Sequence, residues 1–317
     1  MSTIKVTDFV FGRLQAPDLD REEEFLSDFG MVRAERTKNA LYMRGTGPSP
    51  YLHVTELGPE PRYLGAAFSA GSEEDLRKIA GLEEAVSGVE ALDAPGGGKR
   101  VRIRDPRGHI VEIVHGIQPA DPLPVRRVEL NDGSIRRRLG ERFRQKHGPS
   151  QVKRIGHVVL VGPNVPGVVK WYRERLGLLA SDDIYEGENP ANLTASFSRL
   201  DRGDEYVDHH VLFIARAEKP GLNHFSFEVE DWDDLMFGHE YLEAKQYEHV
   251  WGIGRHGPGS QVYDYWKDPW GRIHEHWTDT DLLNARNEVV LTERSMIRAG
   301  SPWGPNPPEW FPNYGTP

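Results

Sequence analysis

Two stretches of the chain repeat one another, Val101-Arg-Ile-Arg-Asp-Pro-Arg-Gly-His-Ile-Val-Glu112 and Tyr263-Asp-Tyr-Trp-Lys-Asp-Pro-Trp-Gly-Arg-Ile-His-Glu275. In both, an Asp-Pro-x-Gly sequence follows a strand-like segment, and a glutamate stands seven residues after the Asp. Proline suits the second position of a tight turn and glycine a position with positive φ. Such a turn joins two antiparallel strands. The repeat therefore predicts one β-unit in each half of the chain.

Helical patterns recur around these strands in the same order. In the first half, Asp18 or Asp20 can cap one helix and Ser72 another. In the second half, the apolar spacing between Val165 and Leu176 predicts a helix, and Asp231 precedes a further one. Each half thus reads strand, helix, strands, and then strand, helix, strands again. We predict an α+β protein of four β-α-β-β-β units, arranged as two tandem barrel-like domains.

The predicted domain limits follow from composition. Residues 1–120 form a first domain and residues 151–285 a second. The segment 121–150 is rich in proline, glycine and charge and is predicted to be a connector, with one helix near Ile135–Arg144. Residues 286–317 form a tail rich in proline and aromatic residues, which we expect to pack on its own domain or on a neighbouring subunit.

Composition excludes several classes of function. The 317 residues carry a net charge of −10, which disfavours nucleic acid as a partner. The absence of cysteine excludes disulfides, thiolate nucleophiles and iron–sulfur clusters. Because neither a signal peptide nor an apolar segment of bilayer length is visible, we expect a cytoplasmic protein that does not associate with a membrane.

The residues suited to metal chemistry lie in the second half, where nine of the 13 histidines fall between His157 and His276. His157 and His224 each lie in an apolar, strand-like segment, and Glu275 lies on the strand after the second turn. Two imidazoles and one carboxylate are the facial triad of non-haem iron(II) oxygenases. The spacing alone is weak evidence, because any chain with 13 histidines can supply such a triplet.

The repeat strengthens this prediction. Glu112 aligns with Glu275, whereas Gly65 aligns with His224 and Asp8 approximately with His157. We therefore predict a metal site only in the C-terminal domain. Side chains alternate along a strand, so either Glu275 faces the site or its neighbours, both histidines, do. The first alternative is favoured by the match with Glu112.

The second half resembles the type I extradiol ring-cleavage (catechol) dioxygenases of the vicinal oxygen chelate superfamily. The stretches that carry the resemblance are Gly156-His157, Asp208-His209-His210, Gly221-Leu-Asn-His-Phe-Ser-Phe-Glu-Val229, Gly254-Arg-His256 and Tyr263 through Trp277. The first half shares only the architecture. The resemblance implies that His157, His224 and Glu275 bind one Fe(II), with Mn(II) as the alternative, and that O2 is the co-substrate.

The resemblance also implies three catalytic residues. His210 matches an acid–base histidine beside the dioxygen position, and we expect His209 to point the other way. His256 matches a histidine that hydrogen-bonds a substrate oxygen. Tyr265 matches a tyrosine that contacts the ring hydroxyl.

The implied reaction is extradiol (meta) cleavage of a catechol-type aromatic, which gives a 2-hydroxymuconic semialdehyde type product in aromatic degradation. The resemblance also implies that the protein is a homo-oligomer. In the branch that cleaves homoprotocatechuate, Asn stands where this chain has Val159, and Arg where it has Trp251. Loss of that cation favours a catechol with an alkyl or aryl substituent. Two other functions of the fold stay open: a metal-dependent glyoxalase-like isomerase or epimerase, and a non-enzymatic small-molecule binding protein.

Overall fold

The computed structural model describes residues 2–126, 129–144, 147–296 and 302–317, and each half of the chain forms one large sheet. The elements of the N-terminal half, in chain order, are β1 (Val6–Ala16), α1 (Leu19–Asp28), β2 (Val32–Arg36), β3 (Ala40–Arg44), β4 (His53–Leu57), β5 (Arg62–Ala70), α2 (Glu73–Ala80), β6 (Glu90–Ala91), β7 (Lys99–Arg104) and β8 (Ile110–His115).

The C-terminal half has the same kinds of element. They are β9 (Val152–Gly162), α3 (Val165–Leu176), β10 (Leu179–Tyr185), β11 (Leu193–Arg199), β12 (Val207–Asp208), β13 (Leu212–Arg216), β14 (Gly221–Val229), α4 (Trp232–Ala244), β15 (His249–Arg255), β16 (Val262–Lys267), β17 (Ile273–Thr278), β18 (Leu282–Leu283) and β19 (Val290–Glu293), followed by short 3-10 turns at Arg294–Met296 and Phe311–Asn313.

The two large sheets have the same topology. The first runs β2-β3-β4-β1-β5-β8-β7-β6, and the second runs β10-β11-β13-β9-β14-β17-β16-β15 with β19 added beside β10. Each sheet therefore joins two β-α-β-β-β units through their first strands, β1 with β5 and β9 with β14. The predicted α+β class and the four repeated units are confirmed.

The helices begin and end where their capping residues stand. Asp18, Ser72 and Asp231 each accept a hydrogen bond from a backbone N–H in the first turn of the helix that follows. Gly177 ends α3 in the left-handed conformation, with φ of 72°. The boundary signals in the sequence thus had the expected local effect.

The two halves share one continuous apolar core. Phe9 of β1 and Phe225 of β14 lie with ring centroids 6.4 Å apart. Gly12 is required at this contact, because a Cβ there would lie 2.4 Å from the Phe225 ring. On another edge, Arg107 donates hydrogen bonds to the carbonyl oxygens of Gly162 and Pro163. The site-bearing sheet is thereby supported from the N-terminal half.

The structure tests the predictions made for the connector and for the C-terminal tail. The predicted helix near Ile135–Arg144 is wrong, because these residues form no helix and Leu139 is 76% exposed. Ile135, Leu139 and Phe143 have helical spacing but are all exposed, so packing does not stabilise a helix, and Gly140 adopts a positive φ of 76° within the segment. The tail packs on its own C-terminal half, through isolated bridges from Trp303 to Arg255 and from Thr316 to Leu222. The predicted domain limits stay predictions.

None of the helices in the described ranges combines the length and the apolar character needed to cross a bilayer.

Candidate metal centre

Three neighbouring strands place the predicted ligands on one face of the C-terminal sheet. His157 of β9 lies directly opposite Ser226 of β14, and Ser226 lies opposite Glu275 of β17. Residues directly opposite in paired strands share a face, and so do residues two apart along a strand. His224 is two residues before Ser226 and therefore joins the row.

The side chains of the three predicted ligands converge. His157 Nε2 lies 3.1 Å from Glu275 Oε2, and His224 Nε2 lies 3.4 Å from the same oxygen. One ligand atom from each residue falls within 4.8 Å of the other two. All three side chains are buried. Structure and sequence agree on the grouping, and the assignment of these residues as ligands stays a prediction.

Unpartnered atoms test whether this site suits a cation. Both carboxylate oxygens of Glu275 and Nε2 of His224 are buried and have no hydrogen-bond partner among the described residues. Buried polar atoms without partners are costly, and a divalent cation would satisfy all three at once. Nitrogen and carboxylate donors suit a borderline metal such as Fe(II) or Mn(II). The donor set therefore fits the predicted metal.

Two other clusters in the described residues fit a metal less well. In the group Glu22, His53 and His274, the guanidinium of Arg272 lies 2.7 Å from a Glu22 oxygen and already supplies a positive charge. In the group His239, His249 and Asp264, the two oxygens of Asp264 are hydrogen-bonded to the two imidazoles, at 3.1 and 2.8 Å. The second group is satisfied without an ion, whereas the first keeps Glu22 Oε1 and His274 Nδ1 without a partner but already has the charge of Arg272 beside its acid.

Electrostatics favour the ligand forms of these groups. Burial pushes the pKa of Glu275 upward, but the imidazoles of His157, His224 and His256 outweigh burial and hold that pKa well below its usual value. Burial lowers the pKa of His224, against the opposing effect of Glu275. At neutral pH the acid is thus ionised and the His224 ring is neutral, as metal binding requires.

His256 and Tyr265 form a hydrogen-bonded pair beside the triad. His256 Nε2 lies 2.8 Å from the Tyr265 hydroxyl and 3.4 Å from Glu275 Oε1. Tyr265 of β16 is opposite Glu275 in the sheet register, and its ring meets the His224 ring edge-on at 5.0 Å. The structure brings both predicted residues to the triad.

His210 lies on the other side of the triad, with its ring centroid 4.1 Å from that of His157. Its Nδ1 is 3.1 Å from His209 Nδ1, and His209 Nε2 is 2.6 Å from Asp182 Oδ2. His209 points away from the cavity, as predicted, although neither histidine lies within a strand. Burial, and next to it His157, lowers the pKa of His210 well below its usual value. His210 is therefore neutral at pH 7.

A cavity of about 440 Å³ opens in front of these histidines. Its size is that of a small-molecule site, and its walls are largely apolar. Wall residues come from seven strands and the tail, so the sheet curls around the cavity, and the apolar ones include Val159, Val161, Ile184, Phe197, Phe213, Trp251 and Phe311. Trp251 lies in this wall, which agrees with a pocket for an apolar substituent.

The N-terminal half keeps the acid but replaces the metal-binding environment. Glu112 of β8 lies opposite Ala67 of β5, and Ala67 lies opposite Phe11 of β1. Phe11 is therefore the counterpart of His157, and the predicted match with Asp8 is wrong. Bulges at the start of β1 shift its register against β5, so an alignment of the two halves made by counting residues places the equivalent of His157 at the wrong position. Arg13 donates to Glu112, with Nε 2.6 Å from Oε1.

Four contributors to the site escaped the sequence analysis. Ser226 occupies the centre of the ligand row, where a small side chain leaves room between the ligands. Asp182 holds His209, and Asn223 contacts His224 at 2.7 Å. Phe311 of the tail closes one wall. Asn223 and Ser226 could have been found from the sequence, because they lie in the same strand as His224. Asp182 and Phe311 could not, because they are remote in sequence from the residues that they contact.

Known proteins show similarity over most of the chain. The family model described as the Glyoxalase/Bleomycin resistance protein/Dioxygenase superfamily matches residues 154–273. Metapyrocatechase 2 of Cupriavidus necator is 28% identical over 304 residues, which are 94% of this chain and 89% of that protein.

Two solved structures share the whole fold. The Mn(II)-bound glyoxalase from Novosphingobium aromaticivorans has a TM-score of 0.81 at 23% identity, over 99% of this chain and 97% of that one. Homoprotocatechuate 2,3-dioxygenase from Brevibacterium fuscum, in complex with 3,4-dihydroxyphenylacetate, also has a TM-score of 0.81, at 18% identity, over 99% and 94%. Residues 154–273 thus match the model of the Glyoxalase/Bleomycin resistance protein/Dioxygenase superfamily, the vicinal oxygen chelate superfamily that the second half of the sequence resembles.

Proposed function

We propose that this protein is an extradiol catechol dioxygenase that uses dioxygen at a single divalent metal held by His157, His224 and Glu275. The observation that carries the proposal is the convergence of these unpartnered ligand atoms with His210, His256 and Tyr265 on one apolar cavity. Similarity to metapyrocatechase 2 along nearly the whole chain supports the same reaction.

The metal is proposed to be Fe(II), with Mn(II) as the alternative, since both accept this set of donors. When bound, it supplies Lewis acidity toward both catechol oxygens and a path for electrons between the ring and dioxygen. His157, His224 and Glu275 would hold the metal, and the cavity in front of them would admit the substrates.

His256 and Tyr265 orient the substrate in this proposal. Burial, and next to it Glu275, raises the pKa of Tyr265 well above its usual value, so the phenol keeps its proton at neutral pH. With His256 Nε2 at 2.8 Å, the pair holds at least one proton that it can donate to an ionised catechol oxygen. Misplacing that oxygen would cost turnover, because the reaction depends on alignment.

His210 moves the proton. Asp182 accepts a hydrogen bond from His209 Nε2–H, so Nδ1 of a neutral His209 accepts one from His210 Nδ1–H. His210 Nε2 is then unprotonated and faces the cavity, where it can take the proton that a catechol hydroxyl loses. The imidazolium so formed holds this proton at the cavity wall and can return it later as a general acid.

The substrate class follows from the cavity wall. Trp251 and Phe311 pack with ring centroids 5.2 Å apart, and Trp251 donates its Nε1–H to the carbonyl oxygen of Pro305. The indole is therefore fixed in the wall at the position where the homoprotocatechuate-cleaving branch has Arg. The cationic side chains among the lining residues lie elsewhere, and they are Arg216, which pairs with Glu186 at 2.8 Å, and Arg294. We propose a catechol with an alkyl or aryl substituent.

The test is oxygen uptake by protein loaded anaerobically with Fe(II) and, in parallel, with Mn(II). Catechol, 4-ethylcatechol, 2,3-dihydroxybiphenyl and 3,4-dihydroxyphenylacetate are added in air-saturated buffer. We expect one dioxygen consumed for each catechol, a coloured ring-fission product, and preference for the apolar catechols. Comparison of the two metals decides between them.

Two matched variants control the experiment. Glu275→Gln removes the charged ligand and should abolish both stoichiometric metal and turnover. His249→Gln, in the neighbouring cluster that is satisfied without an ion, should leave both unchanged. Metal-loaded wild type without oxygen uptake or coloured product from any catechol would contradict the proposal and favour the glyoxalase-like alternative.

We further propose that the enzyme acts in the cytoplasm and that it is a homo-oligomer. Sedimentation of the purified chain would test the oligomeric state.

A further inference from the structure

The end of the chain crosses the metal centre and returns to the strand that carries His224. We call residues 302–317 the strap. Its backbone pairs with β14 at Leu222, whose N–H donates to Thr316 O and whose carbonyl accepts from Thr316 N–H, both at 2.8 Å. Gly221 permits this approach, since a Cβ there would lie 2.8 Å from Thr316 O. The strap is thus fixed one residue away from Asn223.

Asn223 joins the strap to His224. Its Nδ2 lies 2.9 Å from the carbonyl oxygen of Phe311 and 2.9 Å from that of Tyr314. On the other side, its Oδ1 lies 2.7 Å from Nδ1 of His224. Asn223 is 3% exposed, so water does not replace these partners. Both ends of the amide are used.

The direction of each hydrogen bond in this chain is determined. Carbonyl oxygens only accept, so the two strap carbonyls require the NH2 end of the Asn223 amide. The amide oxygen must then face the imidazole, and His224 Nδ1 must carry the proton that it accepts. A neutral imidazole with a proton on Nδ1 has its lone pair on Nε2. Nε2 is the atom that lies 3.4 Å from Glu275 Oε2.

We propose that Asn223 is a positioning residue through which the strap fixes the tautomer and ring orientation of His224 for metal binding. This inference rests on the metal site of the proposed function, and it adds the strap to that site. Phe311 supports the arrangement, because its ring stacks beside His224 with centroids 6.1 Å apart and meets Tyr265 edge-on at 5.2 Å. Such outer hydrogen bonds orient metal-bound histidines in general.

Two substitutions of Asn223 separate its two contacts. Asn223→Ala removes both, whereas Asn223→Asp keeps an acceptor for His224 Nδ1–H and turns a carboxylate toward the two strap carbonyls. Mn(II) affinity is measured by titration of full-length apoprotein, followed by the EPR signal of free Mn(II). We expect Asn223→Ala to bind Mn(II) about 10- to 100-fold more weakly, and Asn223→Asp to stay within about threefold of wild type, because a carboxylate also orients imidazole ligands.

A second measurement reports on the strap itself. Chymotrypsin can cut after the strap residues Trp303, Trp310 and Tyr314, whereas Pro312 protects the bond after Phe311, and mass spectrometry identifies the fragments. Cleavage within the strap should be faster in both variants, because both lose the donor that holds the two carbonyls. Asn284→Ala is the matched control, since Asn284 is a buried asparagine whose amide caps a loop elsewhere. It should change neither Mn(II) affinity nor cleavage within the strap.

Equal Mn(II) affinity in Asn223→Ala and wild type would overturn the inference. An equal loss of Mn(II) affinity in both Asn223 variants would also overturn it, because such a loss would indicate general damage to the fold. The urea unfolding midpoints of the variants measure that damage independently. Should Asn223→Ala fail to fold, weak Mn(II) binding by folded Asn223→Asp would be sufficient to overturn it. Wild type that binds Mn(II) but consumes no oxygen with any catechol contradicts the proposed reaction and leaves this inference standing.

Discussion

Arg13 should be essential to the stability of the N-terminal half, because its guanidinium neutralises a buried acid. Its Nε and Nη2 lie 2.6 and 3.4 Å from the two oxygens of Glu112, and its Nη1 lies 2.9 Å from Glu56. Arg13 and Glu112 are both buried. Burial opposes the charge on Arg13, but Glu112 outweighs burial and raises the pKa above its ordinary value. Arg13 therefore stays charged.

Arg13→Met keeps the apolar stem and removes the charge. Breaking a buried ion pair from one side costs about 3–5 kcal/mol. Arg100 remains 3.1 Å from Glu112 Oε2, which places the expected loss near the lower end, at about 3 kcal/mol. The double variant Arg13→Met/Glu112→Leu removes both charges and should recover to within about 1 kcal/mol of wild type.

Urea unfolding of the single and double variants measures these free energies, with the urea dependence of the free energy compared to detect a change in the unfolded state. Arg62→Met is the control. Its partner Glu60 lies 2.6 Å away, but both side chains are about 60% exposed, so the loss should be about 0–1 kcal/mol. A single variant that loses less than about 1 kcal/mol, or a double variant as unstable as the single, would refute the reasoning.

Three further predictions concern pH, proton transfer and specificity. Burial, and next to it His274, lowers the pKa of His53 well below 6.5. The unfolded chain therefore binds more protons than the folded chain below about pH 6.5. The free energy of unfolding should decrease as the pH is lowered through this range, by up to about 1.4 kcal/mol per pH unit. Urea midpoints between pH 7.5 and 5 should show a shallower fall in His53→Gln, and an unchanged fall in the exposed control His147→Gln. His210→Phe should bind Mn(II) normally yet lose about 100-fold or more in oxygen uptake. Trp251→Arg should raise kcat/KM for 3,4-dihydroxyphenylacetate relative to 4-ethylcatechol by about tenfold, and an unchanged ratio would remove Trp251 from the specificity argument.

The sequence predicted the features that depend on repetition and strand alternation. The Asp-Pro-x-Gly repeat located equivalent strands in both halves, and the pairing of β14 with β17 places Glu275 on the same face as His157. Alternation then sends His274 and His276 to the opposite face, as the match between Glu275 and Glu112 had favoured. Periodicity is local information, and it was sufficient here because the core strands are nearly regular.

Features that depend on register and distant contacts were not predictable in the same way. The observed counterpart of His157 is Phe11, whereas the sequence predicted Asp8, because bulges in β1 change its register. Asp182 reaches the site through His209, and the strap reaches it through Asn223, across 27 and 88 residues. No spacing rule connects such positions, because the contact exists only after the sheet has curled and the tail has packed.

The N-terminal half supports the candidate metal centre of the C-terminal half. His276, next to Glu275 on β17, lies with Nε2 2.7 Å from the carbonyl oxygen of Phe29, and its ring stacks on the Phe29 ring at 3.7 Å. His274, on the other side of Glu275, lies 3.2 Å from His53 of the N-terminal sheet. Both neighbours of the acid are thus anchored in the other half. A slip of β17 by one residue would turn Glu275 away from the ligand row and break both anchors. The N-terminal half therefore fixes the register on which the convergence of His157, His224 and Glu275 depends.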